Sequence, residues 1–113
     1  MSLLIGPYEF DGPLINRLGV KPEAGIYAIL SFARQDFELL ELAESDNLQA
    51  DLLKTENLEY WQRKSHGMLA FSVYYSPFSS AMKRREMVNQ MLLQFKGEWH
   101  KPHSQRELEL VPC

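Results

Sequence analysis

Phosphate and metal chemistry draw on a short list of side chains, and this chain carries several of them at separated positions. Lys83-Arg84-Arg85 is a basic run at the start of an expected helix. Cations there oppose the polarity of a helix N-terminus, a cost that pairing with acid groups offsets. Those groups could come from the protein's own acidic half or from a phosphate. Next to the run is Glu86, which shares one side of the helix with Met82, Asn89 and Leu93. That side reads either as a second binding face or as a solvated surface. Glu41 and Asp51 are the other acids of interest. With Glu86 they could hold a metal, but without one they would repel a nucleic-acid backbone. His100 and His103 stand three apart, yet Pro102 favours a loop and no cysteine accompanies them, so a zinc site is not expected. His66, before Gly67, reads as a turn residue. A Gly-rich phosphate loop, a Cys-pair zinc pattern and a serine-nucleophile elbow are all absent from the sequence.

These side chains need elements to position them. Leu3 to Val20 holds Gly6-Pro7 and Gly12-Pro13, both loop signals. Asp11 could cap a helical turn through Leu14, Ile15 and Leu18 that stops at Gly19. Ile26 to Phe32 reads as a strand with both faces largely apolar, hence covered on both sides. A polar break at residues 33–36 leads to a second strand, Phe37 to Ala43, as a hairpin. On that strand Glu41 shares a face with Phe37, Leu39 and Ala43. If the face is buried, Glu41 needs a partner; the other reading is a solvent-facing edge. Ser45-Asp46-Asn47 can cap a helix running toward Lys54 or beyond. Met68 to Tyr75 is a third strand, rich in β-favouring residues, ended by Ser76-Pro77. Ser79 or Ser80 caps a last helix through about Phe95, with Met87, Val88, Met91, Leu92 and Phe95 as its apolar stripe and a stop near Gly97. The expected fold is α/β (α+β): a small antiparallel three-stranded sheet flanked by helices.

The order strand, strand, helix, strand, helix, opened by Gly25-Ile26-Tyr27, resembles the GIY-YIG nuclease superfamily over Ala24 to about Lys101. Glu44-Ser45 and Asn47-Leu48 match the family's lead into its first helix. The second-strand triplet does not match: Glu41 stands where a tyrosine belongs and Ala43 where a glycine belongs. Asp51 falls at the expected arginine and Thr55 near the expected histidine. The resemblance implies that Tyr27 would help to activate water and that Glu86 would hold a divalent metal, usually magnesium. Phosphodiester hydrolysis also needs a cation on the phosphate. Asp51 in place of the arginine reverses that charge, worth several kcal/mol at close range. The departures therefore point to a non-catalytic binding module, with Glu41, Arg84, Arg85 and Asn89 on its binding surface. No cofactor is expected for it. The alternative is a magnesium-dependent endonuclease with a rearranged site built on Tyr27 and Glu86. Read without the family, Tyr27 is a packed strand tyrosine and Asp51 a solvated helix residue.

Composition limits the setting. The 113 residues make one domain, 1–113, with a GIY-YIG-like core over 24–101 and a polar tail over 102–113. A content of 45% hydrophobic and 24% charged residues is that of a soluble globular chain. With no run of about 18 apolar residues, no membrane span is expected, and no secretory signal is visible. A single cysteine, Cys113, fits a reducing, cytoplasmic setting. Residues 1–60 hold four Lys/Arg against eleven Asp/Glu, while residues 61–113 hold eight against four. The split marks either an anion-binding face or two halves that attract one another. The formal net charge of -3 disfavours general DNA affinity and tips the partner toward protein over nucleic acid. A homo-oligomer through the Met82–Leu93 face is a further possibility.

Overall fold

The chain opens by pairing with itself. In the computed structural model, which describes residues 2–34 and 36–99, β1 (Ser2–Ile5) and β2 (Tyr8–Leu14) form an antiparallel hairpin. Gly6 turns it at a φ of 61°, in the left-handed region that favours glycine. This hairpin replaces the expected helical turn. Leu3, Ile5 and Phe10 are buried with a period of two, and Leu14, Ile15 and Leu18 stay exposed. The helical piece ahead of Gly25 is a 3-10 turn, Arg17–Gly19, capped by Asn16 rather than Asp11.

The remaining elements are β3 (Gly25–Ala33), β4 (Asp36–Ser45), α1 (Leu48–Leu53), α2 (Thr55–Lys64), β5 (Met68–Tyr75) and α3 (Ala81–Trp99). The sheet has five antiparallel strands in the order β1-β2-β5-β3-β4, not three. Its extra strands are the N-terminal hairpin, which joins through β2 and β5. Asn47 caps α1 by accepting from the Ala50 amide, and extended backbone at Lys54 separates α1 from α2. Ser80 starts α3 by accepting from the Lys83 amide. α3 runs past Gly97 to Trp99, so Glu98 and Trp99 are helical. The polar tail 102–113 lies outside the described residues.

Both faces of β3 are covered, as its sequence requires. Ile26, Ala28 and Leu30 pack with Leu42 of β4 and Met87, Val88 and Met91 of α3. Tyr27 and Ile29 pack on the other face with Leu48 and Leu52 of α1, Trp61 of α2, and Phe71 and Val73 of β5. Against β3, Ile29 pairs with Glu41 and Leu30 with Leu39, which leaves Leu40 as a bulge. One extra residue exchanges the two faces of a strand beyond it. Phe37 and Leu39 therefore join the α3 side, and Glu41 and Ala43 face α1 and α2, instead of all four sharing a face.

Candidate functional site

Gly25, the first residue of the Gly-Ile-Tyr strand, is there for packing. A Cβ at this position would lie 2.2 Å from the Tyr74 carbonyl oxygen and 2.9 Å from Leu48 Cδ1. Two residues on, Tyr27 is buried and its hydroxyl donates to Glu41 Oε2 at 3.0 Å. The Trp61 indole donates to Glu41 Oε1 at 2.7 Å. The Tyr27 and Trp61 rings meet edge-on at 5.8 Å, and Trp61 meets Phe71 in the same way at 6.2 Å. Glu41 is thus half-buried with a donor on each oxygen, the partner that burial demanded. Burial pushes the Tyr27 phenol well above the usual tyrosine range, and the neighbouring Glu41 charge and its hydrogen bond push the same way. A phenol in that state holds its proton and makes a poor base at neutral pH.

Asp51 sits in the first turn of α1, where a carboxylate suits the helix polarity. It accepts from the Ser45 hydroxyl and lies 3.4 Å from the Lys54 ammonium. The Ser45 hydroxyl also accepts from the Asn47 amide, so this cluster closes the β4–α1 connection. Thr55 opens α2. His66 is exposed, and its amide donates to the Ser31 hydroxyl at 3.2 Å.

Glu86 lies elsewhere. It is exposed on α3, which covers the sheet face opposite Tyr27 and Glu41. The structure brings Tyr27 to Glu41 and does not bring Glu86 to either. Nor do Glu41, Asp51 and Glu86 form one metal-binding group, and among the described residues no group of three His, Cys, Asp or Glu side chains does. The donor set offers magnesium one exposed carboxylate and does not fit a preformed site. His100 and His103 lie outside the described residues.

The basic run divides by residue. Arg84 is buried at 2% exposure. Its guanidinium donates to Glu44 Oε1 at 2.9 Å, to Asp46 Oδ1 at 2.5 Å and to the Ser79 carbonyl. Arg85 is exposed, with its nearest described carboxylate, Glu44, at 4.0 Å. Arg85 and Asn89 border a cleft of about 310 Å³ between α3 and β4, also lined by Leu42, Ala43, Glu44 and Val88. A second cleft of about 340 Å³, lined by Pro13, Ile15, Phe32, Phe37, Met68 and Ala70, presents no titratable group among these residues. Sequence reading missed Trp61 and Ser45 as partners of the candidate acids. The one signal for Trp61 is its place three residues after Leu58, on the apolar stripe of α2.

The chain thus has a mixed α/β fold with a polar cleft at a sheet edge. No protein-family model, curated protein or solved structure matches it.

Proposed function

We propose that this chain is a GIY-YIG-like domain without nuclease chemistry that acts as a binding module, for a protein in preference to a nucleic acid, in a cytoplasmic setting. One observation carries the reading. The hydroxyl that would activate water is spent on Glu41, which is itself held by Trp61, on the sheet face away from Glu86. The succession β3, β4, α1, α2, β5, α3, opened by Gly25-Ile26-Tyr27, supports the ancestry. The binding surface is the cleft bordered by Arg85 and Asn89. Arg84 lies beneath it, holding the start of α3 to the end of β4.

The test is cleavage of branched and linear DNA with magnesium or manganese. No cleavage is expected, and Glu86→Ala should behave as the wild type. Metal-dependent cleavage lost on Glu86→Ala would restore the endonuclease reading and overturn this one.

A further inference from the structure

The strand order leaves β4 at one edge of the sheet, ten residues long and paired with β3 alone. From Glu38 to Ser45, no backbone hydrogen bond to a described residue outside the sheet engages it. Such an edge offers unpaired N–H and C=O groups to any extended chain. Two features limit what this edge accepts. The bulge at Leu40 interrupts the ladder. The strand also carries four carboxylates, Asp36, Glu38, Glu41 and Glu44, and no cation. A second copy aligning its own β4 would set carboxylates against one another, which is destabilising across strands.

A heterologous strand meets different constraints on its two faces. On the α3 side lies the cleft of about 310 Å³ floored by Leu42 and Val88 and bordered by Arg85 and Asn89, with room for an apolar side chain. Leu42 and Val88 are nearly buried, so the floor is apolar. Arg84 and Arg85 already answer Glu44 there. On the α1/α2 side, Glu38 is exposed opposite Ser31, and Glu41 is half-buried. Alternate residues of an added strand fall on these two sides. We propose that β4 receives an extended protein segment as a sixth strand, with apolar side chains toward the α3 cleft alternating with Lys or Arg across from Glu38 and Glu41. The inference rests on the binding-module reading and names its class of partner. Main-chain pairing supplies affinity in this mode, and the alternating side chains supply selectivity.

The probe is a labelled octapeptide alternating Lys with Val or Leu, titrated into the full chain by fluorescence anisotropy. Saturable binding is expected, with slower amide exchange along β4 in the complex. Methylating alternate backbone nitrogens of the peptide, or shuffling its sequence at constant composition, should weaken binding by at least about tenfold, the scale of losing one strong interface contact. Glu38→Lys, on an exposed position, should weaken the Lys peptide and favour one alternating Glu with Val. Equal binding of the shuffled or methylated peptide overturns the proposal, as does exchange protection away from β4. Absence of binding, or β4 protection that appears with protein concentration alone, overturns it too; the latter would assign the edge to a second copy. DNA cleavage decides the broader reading separately. A chain that neither cleaves DNA nor binds the peptide keeps the module and loses this partner.

Discussion

Glu41 shows what replacing one side chain does to a site. The carboxylate accepts from the Tyr27 phenol on one oxygen and the Trp61 indole on the other. Glutamine puts a donor amide in place of one carboxylate oxygen, so where the phenol turns to accept from that amide its own proton is left without an acceptor. Glu41→Gln should therefore lower stability by about 1–3 kcal/mol, the usual cost of stranding a buried donor, as read by urea denaturation. The phenol itself makes a pH prediction. Tyr27 has a raised pKa in the folded protein, from burial first and the Glu41 charge second. As pH climbs past about 10, the unfolded tyrosine loses its proton while the folded one keeps it. The unfolded state then binds fewer protons, so stability is complete below that pH and falls above it. Tyr27→Phe should remove this component of the alkaline loss, measured by denaturation midpoints across the alkaline range. A variant that keeps the full slope would place its origin in another group. Of this trio, Glu41's need for a partner was legible as a carboxylate on an apolar strand. The partner was not, because Trp61 lies 20 positions along and on another element.

At the scale of elements, legibility followed the strength of local patterning. β3 and β5 could be read almost residue by residue, since dense β-branched and aromatic runs end at breakers. The N-terminal hairpin is not legible in the sequence, because Gly and Pro signal a turn without saying whether strands or a helix flank it. The bulge at Leu40 left no mark in composition, yet it decides which face Glu41 occupies. The motif glycine has a packing role that substitution can expose. Gly25→Ala would push a Cβ into the Tyr74 carbonyl, so it should cost at least about 1–3 kcal/mol, the range for overpacked sites. Thermal unfolding would register this as a lower midpoint, and an unchanged one would mean that β3 and β5 separate freely. Arg84 ties α3 to the end of β4. Arg84→Met would leave Glu44 half-buried without its main cation while Asp46 turns to water. The loss should be about 2–3 kcal/mol, below the 3–5 kcal/mol of a fully buried pair, because Asp46 is largely exposed.

Across the whole molecule, the uneven charge finds its use inside the fold. The acidic first half places Glu44 near the end of β4 and Asp46 just beyond it, and the basic second half opens α3 with Arg84 and Arg85. Their contacts join the two halves at one corner, which accounts for a basic run at a helix start. Arg84 is therefore unavailable to phosphate, and Arg85 stands beside Glu44 and the exposed Glu86. A nucleic-acid surface needs several cations that track a backbone, with affinity that falls steeply as salt rises. Of the run, this corner presents two exposed cations, Lys83 and Arg85, beside carboxylates, fewer than a backbone-tracking surface uses. Duplex DNA is accordingly expected to show no saturable binding at physiological salt, measured by anisotropy with a labelled duplex. Arg85→Glu should leave that result unchanged. Tight DNA binding with a steep salt slope, weakened by Arg85→Glu, would mean that the run is held outward for phosphate and that its internal pairing is the minor use.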